Sequence, residues 1–243
     1  MRIDVVPMPE RIDPRALAGA VALVIDVLRA STSMVAALSH GCAGIVPVAE
    51  PEEARQRAAE LPAGTVLLAG ERRGEPIPGF DLGNSPLELG DARVCGKTVV
   101  MTTSNGTRAL LAVRSAAAVA VAALVNLGAA AAWAGGQQRD VLLVCAGERG
   151  ALSLEDHACA GLLVERLRRD EPTAILTAAA MTAADLGRTY DKDVSRLAAD
   201  SSWARHLTER GRAGDVAACL ALDTSAIVPV YRTDIDKVVA GSP

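Results

Sequence analysis

The chain has 243 residues, enough for one large domain to bury a core without disulfides. Half of the residues are apolar but only 2% are aromatic, so we expect a core of alanine, valine and leucine. The net charge is -4 and no block of like charge occurs, which argues against nucleic acid or an anionic membrane as a partner. This charge pattern favours a small solute instead.

The start of the chain and its cysteines indicate a cellular compartment. The first ten residues, MRIDVVPMPE, contain no apolar signal core, and no apolar run reaches the roughly 18 residues that span a membrane. The five cysteines include no C-x-x-C pair, and their odd number is typical of reduced, mostly buried thiols. We therefore predict a cytoplasmic protein without a membrane partner. The oligomeric state stays open, a homo-oligomer included.

Short apolar runs alternate with segments of helical spacing along the first two thirds of the chain. The predicted strands are 21–25, 44–48, 65–69, 98–102, 117–121 and 141–145, with 3–6 as an edge strand. Continuous apolar runs are typical of strands buried on both faces of a sheet. The pattern predicts one α/β domain over residues 1–243, a three-layer α/β/α architecture with a mainly parallel, mixed sheet.

Two later regions differ from this alternation. Segment 70–90 has three prolines and five glycines, which predicts a long ordered loop of functional importance. After residue 153 the pattern becomes helical, beginning with a capped amphipathic helix at SLEDHACAGLLVERLRR. Further helices are predicted over 173–186, 201–209 and 215–221, before a last strand over 226–230.

Four strand exits combine an acid or amide with an arginine. The first exit contains Asp26 and Arg29, and the second contains Glu71 and Arg72. The third contains the run Ser104, Asn105, Gly106, Thr107 and Arg108, and the fourth contains Glu148 and Arg149. In an open α/β sheet ligands bind beyond the carboxyl ends of the strands. Carboxylates suit a metal ion and guanidinium groups suit a polyanion, so a phosphoester bound to magnesium needs both.

Each exit by itself also has a purely structural explanation. Ser31 and Asn105 are ordinary N-cap residues, and a loop arginine is usually solvated. In SLED a capping box accounts for one acid of the pair Glu155 and Asp156, and it leaves the other free as a metal ligand. The recurrence over four exits is what favours a binding site.

Several known chemistries do not fit. No cysteine is followed six residues later by an arginine, which excludes a cysteine-type phosphatase. GDARVCGKT at 90–98 has five residues between its glycines and precedes its strand, so it is not a P-loop. GNSPL at 83–87 lacks the second glycine of a nucleophile elbow, and no D-x-D follows an apolar strand. His157 and Cys159 lie two apart on one helix, so they do not form a zinc pair.

The motifs taken together resemble a known family. DVLRAST at 26–32, GER at 70–72, PGFDLGNSP at 78–86, TTSNGTRAL at 102–110, and CAG, SLED and CAG between 145 and 161 are similar to the 2-phosphosulfolactate phosphatase family. The resemblance spans about the first two thirds of the chain. It departs from the family at Glu148 and Arg149, onto which no family role is carried.

The resemblance implies a magnesium-dependent phosphatase on a three-layer α/β/α fold. Its reaction is hydrolysis of 2-phosphosulfolactate to sulfolactate and phosphate, a step of coenzyme M biosynthesis. With the exit pattern it gives a candidate site. The expected Mg²⁺ ligands are Asp26, Glu71, Asp156 and Glu155. The expected catalytic residues are Asp26, Arg29, Asn105 and Arg108. The expected substrate-binding residues are Ser31, Thr32, Arg72, Asp81, Asn84, Ser85, Ser104, Gly106 and Thr107.

Two alternatives remain open at this point. One is a magnesium enzyme that acts on another phosphorylated hydroxy acid. The other is a binder of an anionic metabolite without catalysis, for which arginines and helix N-termini suffice. The surplus carboxylates argue against the binder, because they repel an anion unless a cation intervenes.

Overall fold

A computed structural model describes residues 1–241 of the chain, with strands and helices that alternate as predicted through its first two thirds. The strands are β1 Arg2–Val6, β2 Val21–Ile25, β3 Gly44–Pro47, β4 Val66–Arg72, β5 Glu75–Pro76, β6 Thr98–Thr102, β7 Ala118–Ala122, β8 Val141–Cys145, β9 Ile175–Leu176, β10 Val228–Arg232 and β11 Lys237–Gly241. The helices are α1 Pro14–Leu17, α2 Ala30–Ser39, α3 Pro51–Ala59, α4 Pro86–Leu89, α5 Gly106–Ala112, α6 Leu127–Gly136, α7 Leu154–Asp170, α8 Ala178–Tyr190, α9 Leu197–Asp200, α10 Ser202–Glu209 and α11 Ala213–Cys219.

All of the strands join one sheet, in the order β5-β4-β6-β3-β11-β10-β7-β2-β8-β1-β9. Two parallel blocks, β4-β6-β3 and β7-β2-β8-β1-β9, are joined by the antiparallel hairpin β10–β11. The hairpin pairs antiparallel with β7 on one side and with β3 on the other. The sheet is therefore mixed and mainly parallel, which confirms the predicted fold class.

The central strand β2 shows why the fold has three layers. Val21, Leu23 and Ile25 belong to a core cluster with the buried faces of α6, α7, α8 and α10. Ala22 and Val24 point the other way, into a second cluster with α2 and α5. Successive side chains of a strand point to opposite faces, so an unbroken apolar run buries both.

The two blocks run in opposite local directions, because three antiparallel pairings separate β3 from β7. Neighbouring strands are also rotated by roughly 20–25°, so the five steps from β2 to β6 turn the strand direction by roughly 100–125°. The blocks thus cross at a steep angle instead of lying head to tail. This crossing allows the carboxyl ends of β2 and β6 to meet.

The structure corrects several predicted elements. β1 pairs with both β8 and β9, so the edge on that side is the two-residue β9 and not β1. β9 lies within the predicted helix 173–186, and α8 begins only at Ala178. The predicted loop 70–90 contains the end of β4, a turn into β5, and α4. Strand β11 was not predicted.

Two smaller predictions are confirmed. The five cysteines are free thiols, and all but Cys95 are buried. Ser153 caps α7 by accepting a hydrogen bond from the Asp156 amide at 3.2 Å.

None of the helices between residues 1 and 241 is both long and apolar enough to cross a membrane.

Candidate active site

The carboxyl end of β2 lies directly against the start of α5. A Cβ placed on Gly106 would lie 2.6 Å from Asp26 Oδ2 and 2.6 Å from the Ala30 Cβ, distances that no side chain tolerates. The glycine of the SNGTR motif therefore permits the beginnings of α2 and α5 to touch. This contact brings the exits of β2 and β6 to one place.

A cavity of about 160 Å³ opens where these exits meet. The predicted residues that line it are Asp26, Arg29, Glu71, Asn84, Ser104 and Asn105. The remaining lining residues, which were not among the predicted site residues, are Leu28, Arg73, Gly74, Glu148, Arg149 and Trp203. Acids and arginines from different crossovers thus share one cavity.

Asp26 is fixed at the exit of β2 by its neighbours in α2. Its Oδ1 accepts a hydrogen bond from the Ala30 amide at 3.2 Å, and its own amide donates to Ser31 Oγ at 2.8 Å. Burial raises the pKa of Asp26 to about 7, and the nearby charges of Glu71 and Glu155 add to this rise. In the absence of a cation, this carboxyl is therefore much harder to ionise than an exposed aspartate.

Glu71 joins the exit of β4 to the exit of β6. Its Oε1 accepts from the Ser104 amide at 2.7 Å, while its Oε2 accepts from the Gly74 amide at 2.7 Å and from Ser104 Oγ at 3.2 Å. The carboxylate is buried, with 6% of the residue exposed. These contacts hold two loops of the cavity in a fixed relation.

Arg29 lines the cavity but is already paired. Its Nη1 donates to Asp215 Oδ2 at 2.6 Å and its Nη2 donates to the Gly74 carbonyl at 2.9 Å. The second oxygen of Asp215 accepts from Ser85 Oγ at 2.6 Å, and Ser85 also caps α4. Arg29 and Ser85 therefore form a buried network with α11, and Ser85 does not line the cavity.

Asn105 and Ser31 differ from the N-cap roles considered for them. Asn105 stands at the N-cap of α5 without a capping hydrogen bond from its side chain, and it lines the cavity. Ser31 lies within α2, where its hydroxyl bonds the Asp26 amide.

Other predicted residues lie outside the cavity. Arg72 donates to the carbonyl of Glu71 at 2.8 Å and to Thr102 Oγ1 at 2.8 Å, and Arg108 pairs with Glu50 at the surface. The protein therefore supplies partners for the guanidinium groups of Arg72 and Arg108. Neither residue lines the cavity, and their expected roles stay predictions.

Three further predicted residues have local structural partners. The Asp81 carboxylate accepts a hydrogen bond from the Leu68 amide at 2.8 Å. Thr32 donates to the Val27 carbonyl at 3.0 Å. Thr107 Oγ1 accepts from the Thr103 amide at 2.9 Å, across the turn that opens α5. These side chains shape the loops around the cavity from outside it.

Asp156 and Glu155, at the start of α7, lie behind the cavity. The Asp156 carboxylate accepts from the Val27 amide at 2.8 Å and from the Gly147 amide at 3.3 Å, which ties the exits of β2 and β8 together. Burial, followed by the charges of Asp26 and Glu155, raises the pKa of Asp156 well above its usual range. Burial also raises the pKa of Glu155. Both residues are buried, and the Asp156 carboxylate holds the loops after β2 and β8 together.

Comparison with known proteins identifies the family. The family model for 2-phosphosulpholactate phosphatase matches residues 6–234. A probable 2-phosphosulfolactate phosphatase of Symbiobacterium thermophilum is 40% identical over 215 residues, which cover 88% of this chain and 92% of that protein. A protein of the same name from Pseudothermotoga lettingae is 37% identical over 233 residues, 96% of each chain. The chain belongs to the 2-phosphosulfolactate phosphatase family.

This member of the family offers few side chains that could hold a divalent cation. No group of three His, Cys, Asp or Glu side chains within residues 1–241 is arranged as a metal-binding cluster, and the set of four predicted ligands stays a prediction. Asp26 and Glu71 line the cavity, whereas Asp156 and Glu155 do not. Magnesium commonly binds one or two carboxylates and retains waters and substrate phosphate, so this smaller set suits it.

Asn84 adds an oxygen to that set. Its Oδ1 is buried and has no hydrogen-bond partner among residues 1–241, an unusual state that leaves an acceptor uncompensated. Only 5% of Asn84 is exposed, and the residue lines the same cavity as Asp26 and Glu71. Such an oxygen can bind a hard cation or accept a hydrogen bond from a ligand.

The family member also draws part of its cavity from the C-terminal third, which the sequence motifs did not reach. Trp203 in α10 lines the cavity and Asp215 in α11 holds Arg29. Trp203 is one of two tryptophans in a chain almost without aromatics, a compositional signal that could have marked it. Asp215 carries no such signal, because its importance comes only from a partner 186 residues away.

Proposed function

We propose that this chain hydrolyses 2-phosphosulfolactate to sulfolactate and phosphate with Mg²⁺ as its cofactor, a reaction of the kind used in coenzyme M biosynthesis. Membership of the family and the names of its relatives support the reaction. One observation of the structure carries the proposal: buried carboxylates from separate crossovers, Asp26 and Glu71, share a cavity with arginines and an unpartnered amide oxygen.

Asp26, Glu71 and the Asn84 side chain would hold the ion. When bound, Mg²⁺ would neutralise charge on the phosphoryl oxygens and favour ionisation of a water molecule. Burial, with a smaller contribution from the charges of Glu71 and Glu155, raises the pKa of Asp26, and a cation held between these carboxylates would favour its ionised form.

The protein groups would place the ester for in-line attack. Ser104, Asn105 and Arg73 line the wall next to Glu71, where they can donate hydrogen bonds to phosphoryl oxygens. Water is the proposed nucleophile, because a carboxylate that holds a cation attacks phosphorus poorly. A bond from the water oxygen to phosphorus forms while the bond from phosphorus to the ester oxygen breaks. The attacking water loses a proton, and the leaving oxygen gains one and becomes the hydroxyl of sulfolactate.

A panel of phosphoesters tests the proposal directly. Phosphate release would be measured for 2-phosphosulfolactate and other phosphorylated hydroxy acids, each with Mg²⁺ and with a chelator. We expect magnesium-dependent turnover that is fastest with 2-phosphosulfolactate. Saturable binding of the ester without phosphate release would favour the non-catalytic binder.

Asp26→Asn supplies the residue-level test. The amide preserves the size of the side chain, so circular dichroism should show a native fold while turnover falls by at least about a hundredfold. Near-normal magnesium-dependent rates in this variant would rule out the assigned role of Asp26. Gln56→Ala on the exposed face of α3 serves as the control.

A further inference from the structure

We propose that Arg149, presented by Trp203, recognises the sulfonate of the substrate and thereby sets selectivity among phosphorylated hydroxy acids. This inference rests on the proposed function and names one of its specificity residues.

Three arginines line the cavity, and they differ in their partners. The guanidinium of Arg29 is buried and bonded to Asp215 and to the Gly74 carbonyl. Arg73 and Arg149 have no such buried partner within residues 1–241. Arg149 meets Glu148 only through Nε, at 3.9 Å, so its two terminal nitrogens are free to donate. Arg73 and Arg149 are therefore the candidates for anion recognition.

Trp203 gives Arg149 a defined position. The Arg149 guanidinium lies over the Trp203 ring, 5.5 Å from its centroid. The indole is itself fixed, because its Nε1–H donates to the Leu28 carbonyl at 3.0 Å and its ring stacks on His206 at 4.9 Å. An arginine held on an anchored aromatic loses less side-chain entropy on binding an anion than a freely solvated one.

The loop that bears Arg149 is also built rigidly. The Glu148 and Ala151 backbones exchange two hydrogen bonds of 2.8 Å, which close a tight turn. The Gly147 amide is bonded to the Asp156 carboxylate behind the cavity. The turn is thus anchored to the same carboxylate that supports the exit of β2.

The positions of the three anionic groups on the substrate suggest different roles for Arg73 and Arg149. In 2-phosphosulfolactate the phosphate and the carboxylate share one carbon, and the sulfonate is one carbon further away. Arg73 belongs to the phosphate wall, since its amide donates to Ser104 Oγ at 3.2 Å. The Arg149 side chain is 66% exposed, so it lies at the mouth of the cavity, where the more distant anion would reach.

The test compares two esters that differ only in the sulfonate, 2-phosphosulfolactate and 2-phospholactate. Arg149→Ala should raise KM for 2-phosphosulfolactate by about 10- to 100-fold, the loss expected for a charge-assisted hydrogen bond, with kcat changed less than threefold. KM for 2-phospholactate should stay within about twofold of wild type. Arg149→Lys should bring KM for 2-phosphosulfolactate part of the way back to the wild-type value. Arg169 is an exposed arginine on α7, and Arg169→Ala should leave KM for both esters unchanged.

Two results would overturn the role of Arg149. One is an equal rise in KM for both esters, and the other is a loss of selectivity in Arg73→Ala but not in Arg149→Ala. Because the wild type could also release no phosphate, stabilisation against thermal unfolding by sulfolactate and by lactate is measured in parallel. If the wild type releases no phosphate but sulfolactate stabilises it and does not stabilise Arg149→Ala, the result contradicts the proposed function and supports the role of Arg149. Equal stabilisation of wild type and Arg149→Ala, or none of either, contradicts the inference.

Discussion

Arg29 and Asp215 form a buried ion pair of 2.6 Å that joins the segment after β2 to α11, near the end of the chain. Their side chains are 2% and 6% exposed. A pair of this kind has lost nearly all of its hydration, so each charge depends on the other. The cavity therefore requires the C-terminal helices, although the recognisable motifs end well before them.

Removal of Asp215 should be costly to the whole protein. Asp215→Ala leaves the Arg29 guanidinium buried without its partner, and we expect the free energy of unfolding to fall by about 3–5 kcal/mol. The exposed pair Arg210–Glu75, with an N···O distance of 2.9 Å, is the control. Because this pair is solvated, Arg210→Ala should lower the free energy of unfolding by at most about 1 kcal/mol. Urea unfolding followed by circular dichroism measures both. Equal losses in the two variants would contradict the structural role given to Asp215.

Gly106→Ala tests the contact between the starts of α2 and α5. A methyl group here would meet Asp26 and Ala30 at 2.6 Å, so the helices must separate and the Asp26 carboxylate must move. We expect destabilisation of about 1–3 kcal/mol and a large fall in kcat.

Gly136→Ala provides the matched control for Gly106. Gly136 ends α6, and a Cβ there would meet no atom within 4 Å. Because alanine is the better helix former, this variant should be neutral or more stable by up to about 1 kcal/mol. Wild-type activity in Gly106→Ala would show that the close approach does not matter.

The buried carboxyls predict how the stability of the magnesium-free protein depends on pH. The pKa of Asp26 is raised from its ordinary value of 3.8 to about 7, so between these values the folded state holds a proton that the unfolded state has released. The free energy of unfolding should therefore fall as pH rises from about 4 to about 7. Asp156 and Glu155, whose pKa values are also raised by burial, act in the same direction.

Two comparisons check this pH dependence by thermal unfolding in chelator. Asp26→Asn cannot ionise at this position, so its stability should decline less steeply with pH than that of wild type. Addition of Mg²⁺ should stabilise the wild type more at pH 8 than at pH 5, because the ion binds the deprotonated form. Stability that rises with pH over this range in metal-free protein would contradict the burial of these acids.

Asn84→Ala tests the unpartnered amide oxygen. If Asn84 Oδ1 is a ligand, its removal should weaken Mg²⁺ binding several-fold in titration calorimetry without unfolding the protein. Gln56→Ala, which removes an exposed amide from α3, should leave the affinity unchanged. Unaltered Mg²⁺ affinity in Asn84→Ala would remove Asn84 from the proposed ligand set.

The layers of the fold and one edge of the site could be predicted from the amino-acid pattern alone. Short apolar runs such as Val21–Ile25, alternating with segments of helical spacing, predicted strands covered on both faces. Ser153 and Ser201 begin helices because their hydroxyls accept hydrogen bonds from amides that have no partner within the helix. These signals act between neighbours in the chain. They also placed Asp26 and Asn105 at strand exits, where the cavity is found.

Which charged groups are free and which are paired depends on long-range packing, and the amino-acid pattern does not show it. Arg29 is held by Asp215, and Arg72 by the Thr102 hydroxyl and a backbone carbonyl, whereas Arg149 lies over Trp203. An arginine has the same local pattern whether its partner is a ligand or a carboxylate from the far end of the chain. The hairpin β10–β11 likewise has its effect at a distance, because it joins the two parallel blocks of the sheet and reverses one relative to the other. Local propensity cannot record such partners, since they are selected by packing between segments far apart in sequence.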